Sequence, residues 1–100
     1  MKQFIYELFL KNKSFMKQFI YTIKDELGLH ARPAGLLVKK AGGFKSNIHI
    51  LKDSKSADGK RILGIMGLGV KQNEKITVTV EGEDEEEAAL ALEEFFKNNL

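Results

Sequence analysis

The sequence predicts an α+β fold, a four-stranded antiparallel sheet covered on one face by three helices, in the order βαββαβα. Three observations lead there. Three short segments alternate apolar and polar residues with the period of a half-buried strand, and a fourth, short and polar, suits a sheet edge. Three further segments space their apolar residues three and four apart, as one helical stripe requires. Glycine, proline and acidic residues punctuate the joints between them.

"KQFIYTIK" (17–24) sets Phe19, Tyr21 and Ile23 against Gln18, Ile20 and Thr22, and its aromatic and β-branched content favours the first strand. "DELGLH" follows as turn and loop. "ARPAGLLVKKAGG" (31–43) reads as a helix with Ala34, Leu37, Val38 and Ala41 on its apolar stripe. Pro33 falls in the first turn, where a missing N–H costs nothing, and Gly42 and Gly43 supply a stop. "SNIHILK" (46–52) alternates around Ile48 and Ile50 and forms a second strand. "DSKS" turns the chain into a short polar edge strand near Ser56–Asp58. "RILGIMGLGV" (61–70) puts Ile62, Ile65, Met66 and Leu68 at helical offsets, with glycines limiting its length. "EKITVTVEG" (74–82) aligns Ile76, Val78 and Val80 as the clearest strand. "EDEEEAALALEEFFKNNL" (83–100) closes the chain as an amphipathic helix whose acidic start and Lys97 suit the helix dipole.

One hundred residues suit one small domain with a modest core. A net charge of +2 is too small to imply a nucleic-acid partner. The absence of cysteine removes disulfides, thiol catalysis and thiolate metal sites together. No apolar run approaches the roughly 20 residues of a membrane span. "FIYELFL" (4–10) is interrupted by Glu7 and lacks a small-residue cleavage pattern, so no signal peptide or membrane insertion is expected. The chain reads as cytoplasmic.

"MKQFIY" occurs twice, at residues 1–6 and 16–21. The chain therefore divides into an N-terminal extension, 1–15, that copies the first strand, and a domain, 16–100. An upstream start or a duplicated 5′ end explains the copy without a function. Otherwise the extension packs on its own domain or pairs with a neighbouring chain as a homodimer through residues 1–15. Phe4, Leu8 and Phe9 could equally line one face of a helix.

The candidate chemistry lies in "GLHARPAGLL" (28–37). His30 stands at the entry of the helix that starts at Ala31, where unpaired backbone N–H groups and the helix dipole favour an anion, phosphate above all. Arg32 adds a planar guanidinium suited to phosphate oxygens. A neutral imidazole is a competent nucleophile near neutral pH. Nucleophile, anion site and cation meet within three residues, which fits a phosphoryl group carried covalently on histidine. Local pattern alone also admits a solvated surface histidine, or an anion-binding helix start without covalent chemistry.

"GLHARPAGLLVKKA" resembles the active-site segment of HPr, the histidine-containing phosphocarrier family of the bacterial phosphoenolpyruvate-dependent sugar phosphotransferase system. "RILGIMGLGVKQNEKITVTVEGEDEEEAALALEEFF" is similar to the family's second half in length and glycine placement, so the likeness covers residues 16 to 100. The resemblance implies an open-faced β-sandwich. It implies a phosphoryl carrier rather than an enzyme, charged by phospho-enzyme I and discharged to the IIA components of sugar permeases. On that likeness His30 matches the phosphoryl acceptor, through Nδ1, and Arg32 the residue that positions the phosphate. Ala31 occupies the small position beside it, and the backbone of Ala31 and Arg32 faces the phosphate. Partner docking transfers to Arg32, Gly35, Leu36, Lys39, Arg61, Ile62, Leu63 and Met66. For Ile62, Leu63 and Met66, burial in the core is an equal alternative. Lys39, Lys40 and Lys45 otherwise form a plain solvated face.

One departure stands out. Family members from Gram-positive bacteria carry a regulatory serine at the start of the short helix, in a "KSIMGV"-like segment; here the segment is "KRILGI", with Arg61 at that position. Gly67 also stands where serine is common, and Ser54 and Ser56 do not align with the regulatory site. Serine-dependent control is therefore expected to be absent. A regulatory module that docks on protein without carrying phosphate is the alternative, although the catabolite-repression class of relatives lacks the histidine that His30 supplies. His49, on its strand, is expected to face solvent or an adjacent element. The two histidines are not at metal-ligand spacing, "EDEEE" (83–87) is a helix-start charge run, and neither metal nor cofactor is expected.

Overall fold

The computed structural model describes residues 16–100. Four strands and three helices follow in the expected order: β1 (Lys17–Thr22), α1 (Ala31–Gly42), β2 (Asn47–Lys52), β3 (Lys55–Asp58), α2 (Ile62–Gly67), β4 (Lys75–Glu81) and α3 (Glu85–Asn99). The strands form one antiparallel sheet in the order β1-β4-β2-β3. The proposed extension, residues 1–15, lies outside the described residues.

The period-2 pattern delivers one apolar face. Ile48 and Ile50 of β2 and Ile76, Val78 and Val80 of β4 are buried, as is Ile23 just past β1. Against them lie Ala34, Leu37 and Ala41 of α1, Ile65 of α2, and Ala88, Leu92 and Phe96 of α3. Phe96 is the largest fully buried side chain, and the rings of Phe19, Tyr21 and Phe95 lie 5.5–6.1 Å from it. The other sheet face is open, and His49 is exposed on it, opposite Asp58 of β3 and Thr79 of β4.

Where boundaries differ from the sequence reading, a competing hydrogen bond explains most of the shift. β1 stops at Thr22 rather than residue 24 because the amides of Lys24 and Asp25 turn to the Leu100 carbonyl. The final helix starts at Glu85 rather than residue 83. There the Asp84 carboxylate leaves the helix and accepts hydrogen bonds from the Lys45 amide, the Ser46 amide and the Ser46 hydroxyl. That contact satisfies the buried Ser46 and ties the start of β2 to the start of α3. α2 is shorter than residues 61–70, because Gly69 takes a left-handed φ of 63° after Gly67. The polar edge strand begins one residue early, at Lys55, after a tight turn in which Asp53 adopts φ 55°.

Gly82 is needed for close approach: its φ is 154° and a side chain there would meet Ser46 Cα at 2.7 Å. Lys52 makes a second tie across the fold. Its ammonium donates to the Gly69 carbonyl and pairs with Glu74 at 3.0 Å.

Phe96→Ala empties the centre of the aromatic cluster and is expected to cost about 3–5 kcal/mol in denaturant unfolding. The Ser46 hydroxyl, with the Lys45 amide, holds the Asp84 carboxyl below its ordinary range. This group's contribution is therefore complete above the unfolded-state value of about 4 and is lost as pH falls through the lowered folded value. Asp84→Asn should lower the urea midpoint near neutral pH, and the gap from the parent should shrink in acid.

Candidate functional site

His30 is the N-cap of α1, with an extended backbone (φ −88°, ψ −178°) and a half-buried side chain. Its carbonyl accepts the first helical hydrogen bond, from Ala34, at 3.0 Å. Its own side chain does not cap the helix. The amides of Ala31 and Arg32 therefore open outward at the helix mouth, and Pro33 contributes none. Both residues are exposed, and the Arg32 guanidinium has no ion-pair partner among the described residues. The helix that follows runs twelve residues, long enough to carry a full dipole.

The loop before His30 fixes this geometry. Asp25 is an Asx-type turn residue: its carboxylate accepts from the Leu27 amide at 2.8 Å and its carbonyl from the Gly28 amide at 2.9 Å. Leu29 is buried, and its amide donates to the Val70 carbonyl at 3.0 Å. Gly28 has φ 70°, and a side chain there would run into the Val70 carbonyl and come within 2.9 Å of Lys71 Cα. Only glycine lets the loop lie this close.

The other oxygen of Asp25 lies 3.5 Å from His30 Nε2. A proton on Nε2 suits that carboxylate and leaves the lone pair on Nδ1. Sequence reasoning read "DELGLH" only as turn and loop and missed Asp25. The signal was there, an Asp three residues before a Gly, but the proximity to the imidazole needs the turn to close.

The remaining candidates gather on two neighbouring helices. Gly35 of α1 faces α2, where an added Cβ would sit 3.7 Å from Ile62 Cδ1. Ile65 and Leu68 are the inward residues of the second apolar segment, while Leu36, Ile62, Leu63 and Met66 are exposed, Leu63 by 82%. The core alternative for Ile62, Leu63 and Met66 is thereby excluded. Leu27, in the turn before His30, is also exposed and was not foreseen. Arg61 is the N-cap of α2, with its side chain reaching only Asp58, 4.0 Å away. Lys39 is exposed and lies on the side of α1 that meets Phe44 and Phe95.

Among the described residues no group of His, Asp and Glu side chains is arranged to hold a metal ion, and no helix is long and apolar enough to cross a membrane.

Comparison with known proteins places the chain in a family. Residues 17–98 match the family model described as the phosphorylation site of the phosphotransferase-system HPr component. A phosphocarrier protein HPr from Lysinibacillus sphaericus is 51% identical over 77 residues, 77% of this chain and 88% of that one. A crystal structure of HPr from Thermoanaerobacter tengcongensis superposes with a TM-score of 0.79 at 45% identity, covering 82% of this chain and 92% of that one. The Bacillus subtilis catabolite-repression protein Crh, described as a swapped-domain dimer, superposes with a TM-score of 0.68 at 35% identity, over 80% and 92% of the two chains. This chain belongs to the HPr family of phosphocarrier proteins, which carry phosphoryl groups in the phosphotransferase system and are not enzymes in themselves.

Proposed function

We propose that this chain carries its phosphoryl group on His30 Nδ1. It takes the group from phospho-enzyme I, itself charged by phosphoenolpyruvate, and passes it to IIA components of sugar permeases. The observation that carries the reading is His30 at the uncapped mouth of α1, with Nε2 turned to Asp25 and the amides of Ala31 and Arg32 open. The Nδ1 lone pair attacks phosphorus, the new N–P bond forms as the donor's bond to phosphorus breaks, and the reverse exchange discharges the group. The two amides and the Arg32 guanidinium balance the charge of the phosphoryl oxygens.

Docking uses Leu36, Ile62, Leu63 and Met66 beside Gly35, edged by Arg32, Lys39 and Arg61. An apolar centre with a cationic rim suits brief encounters with acidic partners, because charge speeds approach while a small apolar area allows release. Residues 16–100 form the carrier domain, and its place of work is the cytoplasm.

Arg61 stands where a regulatory serine is expected, so the serine switch is absent and a permanent positive charge occupies the start of α2. The likeness to Crh and this substitution favour a second reading, a regulatory binding module that does not pass phosphate. His30 weighs against it. The homodimer expected through residues 1–15 is independent of both readings, since carriage needs one chain.

Incubation with enzyme I and phosphoenolpyruvate should load one acid-labile phosphoryl group, absent in His30→Ala and transferable to a IIA protein. An acid-stable adduct, or partner binding that His30→Ala leaves intact with no transfer at all, selects the second reading. Leu63→Asp should keep the fold, because the side chain is exposed, yet weaken enzyme I binding by about tenfold or more in titration calorimetry.

A further inference from the structure

The loop that presents His30 uses more of Asp25 than its turn requires. The Asp25 amide donates to the Leu100 carbonyl at 2.9 Å, which anchors the residue. Its carbonyl accepts from the Gly28 amide at 2.9 Å, and carboxylate oxygen Oδ1 accepts from the Leu27 amide at 2.8 Å. The last two bonds make the turn, and an asparagine side chain would make the same one. The second oxygen, Oδ2, is left over. It stands 3.5 Å from His30 Nε2, and among the described residues no other carboxylate is in ion-pair reach of the ring. With the two side chains 31% and 29% exposed, water screens the pair only in part. An ionised carboxylate can only accept, so the imidazole opposite it is favoured with its proton on Nε2 and its lone pair on Nδ1.

We propose that Asp25 is a positioning residue for phosphoryl transfer: its Oδ2 keeps one proton on His30 Nε2 through the whole carrier cycle, so that Nδ1 alone meets phosphorus and no proton moves in either direction. This rests on the carrier reading above and adds to it the group that fixes the tautomer. On loading, the Nδ1 lone pair forms the N–P bond while the electron pair of the donor's bond to phosphorus departs with the donor atom. The ring becomes an imidazolium, with the phosphoryl group on Nδ1 and its original proton on Nε2. Its positive charge then faces the Asp25 carboxylate, and the contact becomes charge-assisted on both sides. On discharge the acceptor's lone pair takes phosphorus and the N–P electron pair returns to Nδ1. The leaving group is a neutral imidazole that still holds its Nε2 proton, rather than an imidazolate anion. One carboxylate thus serves both halves of the exchange.

Asparagine separates this role from the turn. Its carbonyl oxygen takes over the bond to the Leu27 amide, which leaves its NH2 in the place of Oδ2. That group donates, so it demands a lone pair on Nε2 and sends the ring proton to Nδ1, the atom that must attack. Serine keeps the turn through its hydroxyl and sets nothing opposite Nε2. The best substitute for the turn is therefore the worst for the carrier.

The test joins two measurements on the full chain. Two-bond proton–nitrogen NMR correlations of the His30 ring, recorded where the ring is neutral, give the tautomer. Phosphorylation by enzyme I and phosphoenolpyruvate gives the rate. The parent is expected to hold its ring proton on Nε2 and Asp25→Asn on Nδ1, with the Leu27 and Gly28 amide shifts and the urea midpoint near parental. The kcat of loading should fall about tenfold or more in Asp25→Asn with KM little changed, and Asp25→Ser should lie between the two. A purely structural role predicts the reverse order, Asn above Ser, and that order overturns the assignment. So does a parent ring protonated on Nδ1, or an Asn variant that loads at the parental rate. The parent's tautomer decides even where a variant fails to fold. A parent that accepts no phosphate overturns the carrier reading itself, and this assignment with it.

Discussion

One backbone hydrogen bond, from the Leu29 amide to the Val70 carbonyl, determines how this molecule presents its histidine. It joins the loop ahead of α1 to the loop behind α2, two segments far apart in sequence. Burial of Leu29 protects the bond from water, and the missing side chain at Gly28 allows the two backbones to meet. Asp25 is held in the same loop by its own turn and by the Leu100 carbonyl. The imidazole, the helix mouth and the exposed residues of α2 thus share one rigid mounting, although none of them is deeply buried.

That mounting explains why a six-residue helix leaves much of its apolar surface in water. Ile65 and Leu68 anchor α2 to the core, and Ala57 of β3 lies close beneath Gly64. The anchored residues bear the folding load. Ile62, Leu63 and Met66 are then free of it, and their exposure weakens the isolated domain only through solvation of a small area. The opposite economy governs α3, whose stripe of Ala88, Leu92 and Phe96 is fully committed to the core.

Much of this was legible in the residues. Alternation at Ile48, Ile50, Ile76, Val78 and Val80 gave the sheet its inner face, because a strand buried on one side writes a period of two. Pro33 placed the start of α1 correctly. Boundaries were less legible where a side chain or a distant carbonyl competes with the local ladder, as Asp84 does for Lys45 and Ser46 and Leu100 for Lys24 and Asp25. Gly42 and Gly43 do end α1, but the cap at Gly43 is right-handed (φ −80°), so glycine's special freedom is not what stops it. His30, Arg32 and the α2 residues were read from pattern and likeness. Asp25 was not, because its position beside the imidazole is created by a three-residue turn and carries no periodic mark. The sorting of α2 into inward and outward residues likewise needed the packing of α1 against it.

The two borders of the sheet are unlike each other. β3 is four residues long, and Lys55, Ser56 and Asp58 stand exposed along it after a tight turn. Short length and charge make that side a poor template for another strand. Lateral growth is therefore permitted in one direction only. A molecule with one receptive and one refractory margin does not stack into open-ended ribbons, because a strand added on one side leaves no template on the other.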